Sequence, residues 1–241
     1  MPPSLRVLGM EIQPNSGQSQ SLRHRAWRAR YAVVMTLQEH WEDIYTSRAP
    51  DDVSWYEPDP AMSRRLVAEA IEEGAESVID IGGGASRLVD HLLDMSLKQV
   101  AVLDIAESGL AVSKRRLGDR ARQVEWILAD VTTAVDIGRF DVWHDRAVFH
   151  FLTDEADRRH YVRLAERTLR PGGTAIMATF ASDGPEQCSG LEVRRYDAGQ
   201  LAEECGRGFE LTQSERYVHT TPSGSNQNFL FATFHRIVGG G

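Results

Sequence analysis

The stretch Ser77-Val78-Ile79-Asp80-Ile81-Gly82-Gly83-Gly84-Ala85-Ser86 limits the possible folds more than any other part of the chain. An apolar strand ending in a carboxylate runs into a glycine turn and then a helix start. Such a strand is buried on both faces, which places it in a parallel sheet with helices on either side. The glycines let the backbone turn sharply and let a ligand approach main-chain N–H groups at the helix N-terminus. That is the layout of a nucleotide-type site. A dinucleotide fingerprint G-x-G-x-x-G begun at Gly82 and Gly84 needs a third glycine at position 87, where Arg87 stands. Asp80, two residues before the first glycine, repels a pyrophosphate and favours a ligand with a cationic end.

The same pattern recurs downstream. Val100-Ala101-Val102-Leu103-Asp104 is a second apolar strand ending in an acid, twenty residues after Gly84, and that acid is placed to accept ribose hydroxyls. Val124 to Asp130 and Phe140 to Asp145 repeat the form. Asp80, Asp104, Asp130 and Asp145 thus line one rim of a sheet, the carboxyl ends of strands where ligands bind in open α/β folds. Thr153 can cap a helix carrying Tyr161, Leu164, Ala165 and Leu169 on one face, and Pro171-Gly172-Gly173 stops it. Thr174–Phe180 reads as a fifth strand. A helix near Asp197–Cys205 and two strands near Phe209–Tyr217 and Gln227–Phe234 complete the chain, with His219-Thr220-Thr221-Pro222 read as their connection.

The run Asp80-x-Gly82-x-Gly84-x-Ser86 resembles the first motif of class I S-adenosylmethionine-dependent methyltransferases. Leu169-Arg170-Pro171-Gly172-Gly173 before a strand is similar to another signature of that family. The likeness extends roughly from Thr36 to Arg236. It implies an α/β fold, a doubly wound, mostly parallel, seven-stranded Rossmann-like sheet ending in an antiparallel hairpin. It implies S-adenosylmethionine as cofactor, a ligand with an ammonium, a carboxylate and a sulfonium but no phosphate, and S-adenosylhomocysteine as product. The implied cofactor contacts are Asp80, Gly82, Gly83, Gly84 and Ser86 at the turn, Asp104 with Ile105 at the ribose, Asp130 and the Val131 N–H at the adenine, and Asp145. Asp145-Arg146-Ala147 is similar to the Asp-Arg-Ala element of thiopurine-methyltransferase-like proteins and to the Asp-Lys-Gly element of seven-strand protein-lysine methyltransferases. No Asn/Asp-Pro-Pro-Tyr follows the fourth strand, which disfavours the nucleic-acid and glutamine substrates that motif grips.

Residues 1–34 form a basic extension, five arginines against Glu11 alone, a net of 5 − 1 = +4, so the remainder carries −8 − 4 = −12. A targeting peptide, a contact for an acidic partner and sequence upstream of a natural start at Met35 compete for it; the last is the reading adopted. Residues 35–74 read as a helical cap, with Thr36 starting a helix through Trp41 and Tyr45. The aromatic loop Ser54–Pro58 brings Trp55 and Tyr56 towards a sulfonium, since aromatic faces attract cations. The core domain is 75–238, and Gly239-Gly240-Gly241 reads as a tail. The overall charge of −8 makes nucleic acid a poor partner. No apolar run is long enough for a membrane span. Two cysteines, Cys188 and Cys205, suit a reducing cytoplasm. The histidines and cysteines show no zinc or iron spacing, so no metal is expected.

Methyl transfer is an in-line displacement that depends mainly on alignment, with a general base where the nucleophile needs one. His150 is the first candidate for that base, with Asp145 beside it; the competing reading packs His150 on the sheet with a backbone partner. His144 reads as structural. A small-molecule thiol, amine or hydroxyl is the leading acceptor. A protein lysine, and a binding protein without turnover, are the rivals.

Overall fold

The computed structural model describes residues 36–237. The basic extension, Met35 and the terminal glycines lie outside those residues. After α1 (Leu37–Ser47) and α2 (Ala61–Glu72) the chain alternates strand and helix: β1 (Ser77–Ile81), α3 (Leu88–Leu92), β2 (Gln99–Asp104), α4 (Glu107–Leu117), β3 (Val124–Leu128), β4 (Phe140–Arg146), α5 (Glu155–Thr168) and β5 (Leu169–Phe180). A two-residue pair, β6 (Gln187–Cys188) and β7 (Leu191–Glu192), precedes α6 (Ala198–Cys205), and β8 (Phe209–Thr220) and β9 (Asn226–Arg236) close the fold. The main sheet has the order β3-β2-β1-β4-β5-β9-β8. β1 to β5 run parallel, and β9 inserts antiparallel between β5 and β8. This is the seven-stranded α/β sheet with a C-terminal hairpin expected from the sequence.

All five residues of β1 are buried, Ser77 and Asp80 together with the apolar Val78, Ile79 and Ile81. Its two faces feed two cores. Ile79 and Ile81 pack with Trp143, Phe149 and Tyr161. Val78 packs with Val102, Val142, Leu66, Val67 and Leu88. Chain order reverses between β1 and β4, so the crevice beyond their carboxyl ends is the topological switch point, the usual ligand position in such sheets.

Three local readings need correction. The cap of α5 is Asp154, whose Oδ1 accepts from the Ala156 N–H at 2.7 Å, and not Thr153. Either residue is competent to cap, but only Asp154 stands immediately before the first helical residue with extended backbone. β5 starts at Leu169, which pairs with Phe140 before a register shift, so Pro171-Gly172-Gly173 bulges within the strand, with Gly172 at φ 79°. His219 and Thr220 belong to β8 and pair with Gln227 and Asn226, so the connection between the last strands is residues 221–225.

Candidate active site

The glycine turn is held rigidly from behind by α4. The Ser113 Oγ donates to the Gly84 carbonyl at 2.5 Å, and Arg116 donates to the Ala85 and Ser86 carbonyls at 3.1 and 2.5 Å while pairing with Asp90. These bonds turn the loop carbonyls towards α4. The turn also leaves no room for side chains. A Cβ on Gly83 would lie 2.6 Å from the Asp80 Oδ2 and 2.7 Å from the Val102 Cγ1, and one on Gly84 would lie 2.6 Å from the Asp104 Oδ2. The backbone therefore comes close to both carboxylates, as a cradle for a small polar ligand must.

Two adjoining cavities open at this rim. The first is lined by Gly82, Asp104, Ile105, Asp130 and Val131 on one side, and by Trp41, Tyr45, Trp55, Arg146, Phe151 and Cys188 on the other. The second is lined by Asp80, Gly82, Gly83, Ser86, Arg87, Tyr56 and Glu57, with Ser63 and His144 at its floor. Trp55, Tyr45 and Arg146 border both. Both contain candidate cofactor residues from the sequence. Gly84 borders neither directly, but touches them through Asp104 and Tyr45.

The four rim acids are not equivalent. Asp80 accepts from or bonds to His144 through Oδ1 alone, at 2.7 Å, and its buried Oδ2 has no partner among the described residues. Asp104 spends Oδ1 on the Ala106 N–H at 2.8 Å. Burial pushes its carboxyl up to about 7, with Asp80 and Glu42 adding to the rise against backbone hydrogen bonds from Ala106 and Gly84. Asp130 turns one oxygen onto the Thr132 N–H and hydroxyl at 2.8 and 2.7 Å. Asp145 is fully engaged: Oδ1 accepts from the Val148 N–H at 2.8 Å, and Oδ2 from the Phe149 N–H at 3.0 Å and the Tyr161 hydroxyl.

The catalytic pair expected from the sequence is sealed from solvent. Asp145 is inaccessible to solvent, borders neither cavity, and fastens the short 3-10 turn Phe149–Phe151 after β4. His150 within that turn is also inaccessible. Its Nδ1 accepts from the Phe180 N–H at 3.3 Å, and its ring packs on Phe151 and Phe180. Burial, reinforced by Arg146, pushes the ring down to about 3, so it stays neutral. The reading with a backbone partner describes His150, and neither residue lines either cavity. Ser86 borders the second cavity, but its hydroxyl accepts from the Leu88 N–H at 3.1 Å as a local cap.

Of the residues that close the first cavity, sequence reasoning named Trp55 as a site residue but not Trp41, Tyr45, Arg146 or Phe151. α1 is pinned onto α4 because Glu42 accepts from the Glu107 and Ser108 N–H groups at 2.6 and 3.1 Å, a carboxylate on a helix N-terminus. This brings Trp41 and Tyr45, four residues apart on one helical face, over the glycine turn. Trp41 meets Trp55 and Phe151 edge-on at 5.6 and 5.1 Å. Burial, then Asp104, raises the Tyr45 phenol well above its usual range, so it stays a neutral hydroxyl. Arg146 crosses from β4 to the loop, donating to the Trp55 carbonyl at 2.9 Å and pairing with Glu57 at 3.3 Å. Glu57 is also met by the Tyr217 hydroxyl at 2.7 Å and by His219 at 3.3 Å. The helical spacing of Trp41 and Tyr45 was the available signal. Among the described residues no cluster of three or more histidines, cysteines or acids is placed to hold a metal, and no helix is long and apolar enough to cross a membrane.

Comparison with known proteins agrees with this layout. Residues 79–177 match the family model described as a methyltransferase domain. A zebrafish (Danio rerio) protein described as eEF1A lysine and N-terminal methyltransferase is 25% identical over 158 residues, 64% of this chain. The chain spans about a quarter of the length of that relative, 23%. Among solved structures, one described as "Conversion of a Disulfide Bond into a Thioacetal Group during Echinomycin Biosynthesis" superposes with a TM-score of 0.67 at 18% identity, covering 83% of this chain and 93% of that one. The Burkholderia thailandensis 1,6-didemethyltoxoflavin-N1-methyltransferase, with 1,6-didemethyltoxoflavin and S-adenosylhomocysteine bound, gives 0.60 at 20% identity over 95% and 94%. N-methyltransferase NodS from Bradyrhizobium japonicum WM9, with S-adenosylhomocysteine bound, gives 0.59 at 15% over 75% and 89%. At these identities the structural likeness speaks for the fold. Residues 79–177 match a methyltransferase domain, and they form the heart of a seven-stranded sheet whose strand order is that of the Rossmann-like S-adenosylmethionine-dependent methyltransferase fold.

Proposed function

We propose that the protein transfers a methyl group from S-adenosylmethionine to a small-molecule nucleophile, a thiol, amine or hydroxyl. The observation that carries the reading is the pair of adjoining cavities, one polar around Asp80 and the glycine turn, the other walled by Trp41, Trp55 and Phe151. The residues suit the cofactor: an unpartnered carboxylate oxygen on Asp80, a Gly83–Gly84 backbone too close to those acids to carry side chains, and Asp104 with one oxygen free of the Ala106 bond. Asp104 would accept from the ribose hydroxyls, Asp130 and the Val131 N–H would face the adenine, and Trp55 with Tyr56 would border the sulfonium. The cofactor supplies an activated methyl group. The protein's part is to orient it, exclude water with the α1 and Trp55 walls, and align the acceptor. An acceptor with a free lone pair at neutral pH needs no base, and the engaged Asp145 and neutral, sealed His150 fit such chemistry.

A protein lysine is the second reading, supported by the relative described as an eEF1A lysine methyltransferase. Radiolabelled methyl transfer to a panel of small thiols, amines and phenols, run beside intact eEF1A, separates the two. Label in a small molecule but not in protein supports the first. Label on protein lysine alone replaces it with the second, and cofactor binding with no label in either favours a non-catalytic binding protein.

A further inference from the structure

Beneath the glycine turn Asp80 belongs to a buried chain of three polar side chains, and the reading above does not use the other two, His144 and Ser63. Asp80 on β1 and His144 on β4 are direct partners in the parallel register, so their side chains emerge side by side on one sheet face. α2 packs on that face and drops Ser63 onto them. The His144 Nδ1 lies 2.7 Å from the Asp80 Oδ1, and its Nε2 lies 2.9 Å from the Ser63 Oγ. All three residues are at most 3% exposed. One proton arrangement satisfies the chain with a neutral ring: the Ser63 hydroxyl donates to Nε2, and the Nδ1–H donates to Asp80. The ring-facing oxygen of Asp80 is then fixed, and Oδ2 is left buried and unpartnered at the second cavity. An orphan carboxylate oxygen in such a place is costly unless a donor arrives to meet it. Arg87 and Arg146 line the same cavity, and the Arg87 Nε is likewise buried without a partner. One free acid oxygen opposed by free guanidinium donors suits the zwitterionic end of an amino acid, ammonium to Asp80 and carboxylate to an arginine.

The geometry points to His144 as a positioning residue. Locked by Ser63, it aims the Asp80 Oδ2 at the ammonium of the cofactor's amino-acid end. The inference rests on the proposed use of S-adenosylmethionine, and it couples α2 to the cofactor site through a single hydroxyl.

The test is calorimetric titration of the full chain with two ligands, S-adenosylhomocysteine and 5′-methylthioadenosine, which lacks the amino-acid end. His144→Leu removes the donor to Asp80, and His144→Asn retains an amide N–H near the Nδ1 position. Loss of one charge-supporting hydrogen bond predicts that His144→Leu weakens S-adenosylhomocysteine about tenfold and leaves 5′-methylthioadenosine unchanged, with His144→Asn recovering most of the difference. Equal effects on both ligands, or none on either, would show a merely structural histidine and overturn the inference. If the leucine variant does not fold, Ser63→Ala takes its place. It should weaken S-adenosylhomocysteine selectively, and an unchanged ratio of the two affinities overturns the inference as surely. Failure of the unaltered protein to bind S-adenosylhomocysteine at all would instead refute the proposed function on which it rests.

Discussion

Asp104→Asn should make the ligand-free protein more resistant to alkaline conditions. Asp104 is 4% exposed, and its desolvated carboxyl sits near Asp80 and Glu42, which carries it from the usual value of 3.8 up to about 7. A carboxyl whose folded value lies above its unfolded value binds its proton more tightly when folded. Stability is therefore fully present below about pH 3.8 and is lost as the pH rises through about 7. Three pKa units at 1.36 kcal/mol each amount to about 4 kcal/mol between pH 4 and pH 8. An asparagine has the same shape and does not titrate. It also loses the bond from the Gly84 N–H, a penalty that does not vary with pH. The signature is thus the change in the difference between variant and unaltered protein, not the difference at one pH. For a domain of this size 4 kcal/mol corresponds to roughly 10 °C in Tm. Thermal unfolding of both proteins at pH 4, 6 and 8 gives the answer. The variant should gain on the unaltered protein as the pH rises, mostly between 4 and 7. Parallel curves would show that Asp104 is ionised at ordinary cost and would refute the reasoning.

Two further outcomes follow from the same geometry. His150, held neutral with its pKa near 3 against an ordinary 6.5, supports stability above pH 6.5 and loses it as the pH falls; His150→Phe should flatten the acid limb of the unfolding curve while leaving the affinity for S-adenosylhomocysteine within about twofold, and a large loss of affinity would return His150 to the site. Gly83→Ala drives a methyl group against the Asp80 Oδ2 and the Val102 Cγ1; it should cost about 1–3 kcal/mol in denaturant unfolding and weaken S-adenosylhomocysteine, and unaltered values in both measurements would contradict the tight approach of backbone to acid.

The parts legible in the sequence were those dictated by short-range rules. β1 and β2 announced themselves as apolar runs because both of their faces are buried, and Gly82 to Gly84 as a turn because no side chain fits beside Asp80 and Asp104. What each acid does with its oxygens was not legible. Asp104, Asp130 and Asp145 stand at equivalent strand ends, yet Asp145 is consumed by a 3-10 turn whose existence depends on how β4 meets α5. The same turn points His150 inward to the Phe180 backbone, which no spacing in His144–Leu152 discloses. Ser63 and His144 are 81 residues apart and meet only because β4 pairs beside β1 under α2. Trp41 and Tyr45 lay within reach of a helical-face argument, but their target was fixed by the distant Glu42 bond to α4.

The most direct test of the central claim is calorimetric titration of the purified chain with S-adenosylhomocysteine, with NAD in parallel and Asp104→Ala as the site control. The account predicts binding of S-adenosylhomocysteine, its loss in the variant, and no heat from NAD. Binding of NAD with none of the nucleoside ligand would contradict it, because the Asp80 carboxylate would then be tolerating a pyrophosphate and the turn would be holding a dinucleotide with Arg87 in place of the third glycine.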